Sequence, residues 1–161
     1  MNYYKILSLS VFLVACDNGD TLKTAVHAEV TKIMTKEISV TGKIVKPVQI
    51  DDLELEKVSM KDYYSYERKE QDSQFKKFQN QVSKLKTGFD LSQSLVTHDS
   101  VMSYLTNAIE TASENPQIYK VDYHLTAATK TANYNRRQVV FLDSNLKKIE
   151  SDYSFLRKKQ N

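Results

Sequence analysis

Apolar residues recur at two different periods along this chain, and the switches between them mark out its elements. Ala25, Val26, Val30, Ile33, Met34 and Ile38 fall at three- and four-residue steps, the spacing that lines up side chains on one face of a short helix. Over 38–47 the period shortens: Ile38, Val40 and Ile44 alternate against polar neighbours, which predicts a strand ending near Pro47. Residues 61–85 hold neither Gly nor Pro and are rich in Lys, Glu and Gln. They carry Phe75, Phe78, Val82 and Leu85 at helical steps, with Gly88 placed as the stop. Carried backward, that stripe meets Gln71, Arg68 and Tyr64, so a long coiled coil is not supported.

Asp99 is placed to cap another helix through Met102, Leu105, Ile109 and Ala112, closed by Glu114-Asn115-Pro116. After Pro116 the period is two, with Tyr119, Val121, Tyr123 and Leu125 alternating against Lys120, Asp122, His124 and Thr126, as in an antiparallel strand with one solvated face. A polar stretch, 129–137, leads to Gln138-Val139-Val140-Phe141-Leu142, a compact apolar run that suits a central strand. Asp143-Ser144-Asn145 follows as a turn or helix cap. Over 145–157 two patterns fit: Leu146, Ile149, Tyr153 and Leu156 at helical spacing, and Ile149, Ser151, Tyr153 and Phe155 in alternation. Both stay open.

These elements predict an α+β domain, a small antiparallel sheet packed against two or three helices, with a mostly helical domain as the alternative. The sheet face carrying Tyr119, Val121 and Tyr123 needs cover, and helices are what the chain offers. Its 161 residues suffice for one ordinary core. With 40% hydrophobic and 27% charged residues the chain lies outside the compositional range of disorder, and three Gly and two Pro favour long regular elements. A net charge of +3, with basic and acidic residues interleaved, lacks the clustered basic face of a nucleic-acid binder, so no nucleic-acid partner is expected.

The N-terminus has its own pattern. Lys5 precedes a run, 6–15, that is apolar apart from Ser8 and Ser10. At about 1.5 Å per residue such a run reaches roughly half the ~30 Å of a bilayer core, the proportions of an export signal and not of a spanning helix. It ends in Leu13-Val14-Ala15-Cys16, which resembles the lipobox of bacterial lipoproteins. The resemblance implies removal of a signal peptide, 1–15, and lipid on Cys16, followed by a polar tether, 16–24, and a single mature domain, 25–161. Cys16 is the sole cysteine, so no intramolecular disulfide can form, and lipidation accounts for a lone cysteine in an exported chain. Asp17 after the cysteine resembles a signal for inner-membrane retention, which is preferred here over the outer membrane.

For chemistry the sequence offers little. It lacks a Gly-rich phosphate loop, a Gly-x-Ser-x-Gly elbow, a His-Glu-x-x-His helix and a Cys-x-x-Cys pair. His27, His98 and His124 fall in separate elements, so no metal site, no catalytic residues and no cofactor are expected. Tyr63, Tyr64 and Tyr66 are clustered at the head of a helix, where aromatic area and a polar tip suit either a partner surface or a core edge. The expectation is a lipid-anchored envelope protein facing the periplasm or the outside. It is expected to act without catalysis through an envelope protein partner, the alternatives being a small-ligand carrier or sensor and an envelope hydrolase.

Overall fold

The computed structural model describes residues 18–84 and 92–151. In chain order these form α1 (Asn18–Thr41), β1 (Ile44–Val58), α2 (Met60–Lys84), α3 (Ser92–Thr111), β2 (Ile118–Thr129) and β3 (Asn133–Leu142). The three strands make one antiparallel sheet in the order β1-β2-β3, and the fold is α+β.

Helix α1 supplies the cover for the sheet. Val26, Val30, Met34 and Ile38, one helical turn apart, are all buried against Val121, Tyr123, Leu125 and Ala127 of β2, with Ile50 and Leu53 of β1 and Val140 and Leu142 of β3 around them. Each such side chain contributes about 1.5–3 kcal/mol through burial. Polar ties fix the helix along its length: the His27 Nε2–H donates to the Ile50 carbonyl at 3.0 Å, and Thr41 Oγ1 lies 2.8 Å from the Tyr134 hydroxyl.

The helix extends past both expected ends. Residues 18–24, expected as tether, are helical, and Leu22 packs one turn ahead of Val26. At the other end Ile38 keeps its place in the helical stripe at 4% exposure while Val40 is left 84% exposed. A strand beginning at Ile38 would have given up that core position, so burial overrides the β-branched run.

The chain leaves α1 through Gly42, whose φ of +156° is open to glycine and disfavoured for other residues. A Cβ there would also sit 3.4 Å from Thr131 Oγ1. Gly42→Ala is expected to lose about 1–3 kcal/mol, measured by urea unfolding.

Strand β1 is the expected strand, shifted later and continued well past Pro47. It is an edge strand, and its register with β2 shifts between Ile44 and Lys46, between Lys46 and Gln49 and between Asp51 and Glu54. Pro47, which has no N–H to donate, falls within one of these irregularities, where an edge strand tolerates it. Asp52, at φ +50°, lies in another.

Strand β2 is central and alternates buried and half-buried residues from Val121 to Thr129. Strand β3 is the opposite edge, not the central strand expected from its apolar end. It starts at Asn133 within the polar stretch, because one face of an edge strand is solvated and polar side chains there carry no penalty. A three-residue loop joins β2 to β3, with buried Thr129 Oγ1 accepting the N–H groups of Thr131 and Ala132 at 3.3 and 3.0 Å.

Helices α2 and α3 form a hairpin inserted between β1 and β2. Its two ends meet at the sheet: Val58 pairs with Ile118, and the Gln117 N–H donates to the Val58 carbonyl at 3.0 Å. Helix α3 begins at Ser92, so Asp99 is an exposed interior residue and not the cap. The longer helix is stabilised by pairing with α2, which the sequence period alone does not report. Gly88 lies outside the described residues. After β3, Asp143 Oδ1 accepts the N–H groups of Asn145 and Lys147 and turns the chain through Leu146 at φ +60°. Residues 148–149 then return antiparallel beside β3. The rest of the 145–157 question, from residue 152 on, lies outside the described residues.

Candidate functional site

The base of the hairpin is where the clustered tyrosines lie, and local sequence puts them there. Ser59 precedes α2 as its cap: its Oγ accepts the Asp62 N–H at 3.1 Å, while the Asp62 carboxylate accepts the Ser59 N–H at 3.0 Å and its hydroxyl at 2.6 Å. This reciprocal capping box is the sequence Ser59-Met60-Lys61-Asp62. The Ser59 hydroxyl holds the Asp62 carboxyl below its ordinary value of 3.8. A depressed carboxylate contributes stability that is present above that ordinary value and lost as pH falls through the folded one. Ser59→Ala is therefore expected to cost about 1 kcal/mol near neutral pH. The gap from wild type should narrow in urea titrations once pH drops below 3.8.

With the start of α2 fixed, helical geometry sends Tyr63 and Tyr66 to one side and Tyr64 to another. Tyr63 is 2% exposed and meets Phe141 of β3 edge-on, ring centres 5.0 Å apart. Tyr66 also packs on Phe141, at 5.2 Å, and Tyr64 lies 5.1 Å from Tyr63. Val58, Ile118 and Phe141 complete this cluster on the sheet face opposite α1.

Tyr64 and Tyr66 are half-buried, and each lines a different cleft. Tyr66 borders an opening of about 740 Å³ between α2, the outer edge of β3 and residues 148–151. Its lining includes Glu67, Glu70 and Lys77 of α2, Met34 and Glu37 of α1, and Arg136 and Arg137 of β3. Burial, followed by the charges of Glu70 and Glu67, pushes the Tyr66 hydroxyl above its ordinary value. Burial does the same to Tyr123, which lines the opening from the α1 side of the sheet. Tyr123 lies beside the Gln138 amide, whose oxygen is best satisfied facing Arg136, at 2.7 and 3.0 Å from the guanidinium nitrogens. Tyr64 borders a smaller groove of about 440 Å³ with Met60, Tyr104 and Ala108, on the α3 side.

The sequence's tyrosine cluster is thus one core ring flanked by two rings at cleft mouths. What sequence reasoning missed is the outer edge of β3, since a polar stretch with Arg136 and Arg137 gave no sign of a strand.

The histidines are spread apart. His27 ties α1 to β1, and His124 on β2 lies 2.6 Å from Asn135 Oδ1. His98 on α3 stacks on Phe75 of α2 at 4.0 Å, with Asp99 and Asp72 at 3.6 and 4.0 Å. Among the described residues no group of three or more His, Cys, Asp or Glu could hold a metal ion. The sheet face beyond the tyrosine cluster is charged, with Arg137 bridging Asp122 at 3.0 Å and Glu54 at 3.3 Å across all three strands. Cys16, the expected lipidation site, lies outside the described residues, as does the signal run. Among the described residues no helix is long and apolar enough to cross a membrane. Comparison with family models, with curated proteins and with solved structures finds no match.

Proposed function

We propose that this chain is an envelope lipoprotein, held on a membrane by lipid on Cys16, that acts without catalysis by binding another envelope protein at the base of its helical hairpin. The observation that carries the binding surface is the placement of Tyr64 and Tyr66: both half-buried, braced through Tyr63 and Phe141, each at the mouth of a cleft. Rings held this way give up little conformational freedom on binding, which is why aromatic residues dominate contact surfaces. The membrane setting is supported by Leu13-Val14-Ala15-Cys16 after an apolar run. Acyl chains contribute about 0.8 kcal/mol per buried methylene, and two or more give stable anchoring. Asp17 favours the inner membrane.

A photoreactive residue at position 66, in membrane-bound protein, should capture a defined envelope protein that one at exposed position 40 does not. Equal capture at both positions would remove the surface assignment. Intact mass of the extracted protein should show residues 16–161 plus acyl groups. Cys16→Ser should abolish both the lipid and the cut, and an unmodified full-length wild-type chain would overturn the anchor.

The cleft beside β3 favours a second reading, since about 740 Å³ falls within the range of small-ligand pockets. A carrier of small molecules should gain thermal stability with a lipid, sugar or peptide. A flat response with capture at position 66 intact leaves the protein partner.

A further inference from the structure

Among the described residues four large apolar side chains are exposed, and two of them, Val40 and Val45, flank the turn from α1 to β1 at 84% and 60% exposure. The loop from β2 to β3 is fastened beside that turn: the Lys130 N–H donates to the Lys43 carbonyl at 3.2 Å, and Ile44 pairs with Thr129. The end so formed is basic. Lys36 lies one helical turn before Val40 on α1, and Lys43, Lys46 and Lys130 belong to the turn, the start of β1 and the loop. All four lysines are exposed, and none is in an ion pair among the described residues, unlike Lys32, Lys61, Lys76, Lys120 and Lys148. No Asp or Glu occurs between residues 38 and 50 or between 125 and 142. Glu37, the acid next in sequence, is already paired with Lys148.

We infer that this end of the molecule docks on an anionic phospholipid surface. Four lysines without counter-charges repel one another, and phosphate groups answer them, each lysine contributing about fivefold in affinity near such a surface. The uncovered valines gain burial in the boundary between headgroups and acyl chains. Protein contact surfaces are built on Trp, Tyr and Arg held in fixed geometry, whereas lysine is a mobile point charge suited to a diffuse field of phosphates. The docking rests on the lipid on Cys16 proposed above, which holds the chain at a bilayer. Helix α1 starts two residues after Cys16 and ends at the basic turn, about 36 Å further on at about 1.5 Å per residue. Lipid at one end and lysines at the other therefore lay α1 along the membrane. The tyrosine cluster is on the sheet face opposite α1, so this orientation turns that face away from the bilayer and toward a partner.

The test uses the protein extracted from membranes and reconstituted into vesicles of phosphatidylcholine, with or without phosphatidylglycerol. An environment-sensitive dye is attached at Ser39→Cys, beside Val40, or as a control at Asn115→Cys, an exposed position between α3 and β2. In the anionic vesicles the dye at 39 should shift to the blue and be quenched by a nitroxide on the lipid headgroup, while the dye at 115 should do neither. In phosphatidylcholine alone neither dye should respond. Lys43→Gln, Lys46→Gln and Lys130→Gln together should weaken the contact roughly a hundredfold. Salt at about 1 M, which screens charges beyond about 3 Å, should weaken it without touching the lysines. Equal signals at position 39 in the two vesicle types, or none in either, overturn the docking. Shielding of that position in native membranes alone assigns this end to a protein and overturns it too. Intact mass on the same sample separates the two readings: a lipidated chain with a silent dye keeps the anchor and loses the docking, whereas an unmodified chain loses both.

Discussion

Tyr63→Ala is expected to lower the unfolding free energy by about 3–5 kcal/mol, the cost of removing a large buried aromatic. The ring is 2% exposed and meets Phe141 and Tyr64 at centre distances of 5.0 and 5.1 Å. Aromatic pairs of this geometry add about 0.5–1.5 kcal/mol beyond their buried area. For a chain of this size the loss corresponds to roughly 10–15 °C in melting temperature by calorimetry. Tyr63→Phe keeps the ring and should retain most of the stability. Tyr66→Ala, at a cleft mouth, should cost far less stability and instead reduce capture of the partner by a photoreactive residue at position 64. A Tyr63→Ala protein as stable as wild type would mean that the ring does not join the hairpin to the sheet.

Leu105→Ala is expected to cost about 2–5 kcal/mol, and the loss should be local. Leu105 is fully buried, yet its cluster is small: Val101 with partly buried Tyr64 and Tyr104. The α1–sheet core is a separate cluster containing no α3 residue. Amide exchange should therefore accelerate along α3 and the distal part of α2 while the buried amides of α1 and β2 keep their protection, as expected of distinct cooperative units. Uniform acceleration across all elements would show a single unit.

The sequence periods locate the main elements because burial stripes are simple repeats. Val26, Val30, Met34 and Ile38 read as a helix and are its buried face; Val121, Tyr123 and Leu125 read as a strand and are its buried side. Boundaries were harder wherever a tertiary partner decided them. Ile38 fits both periods, and only the sheet beneath it makes the helical choice. Asn133 to Arg137 carry a single aromatic, Tyr134, too little to set a period, yet pair with β2. Pro47 suggested a strand end, and the long β1 absorbs it through register shifts that no pattern of hydrophobicity encodes. The Ser59 capping box was readable in principle as Ser-x-x-Asp ahead of the tyrosines. For the candidate site, Tyr63, Tyr64 and Tyr66 were visible as a group, but their division into one core ring and two cleft-side rings depends on where α2 begins and on Phe141 from β3.

The strands flanking the hairpin are direct neighbours, with Val58 opposite Ile118 and the Lys61 N–H bonded to the Ser113 carbonyl across the neck. Topologically the hairpin is therefore a detachable cassette: cut it out, and β1, β2 and β3 remain a simple up-and-down meander under α1. The entropic cost of so long an excursion grows only with the logarithm of its length. Such a junction is a natural graft point, where evolution or an engineer could exchange one helical arm for another while α1 and the sheet stay as they are.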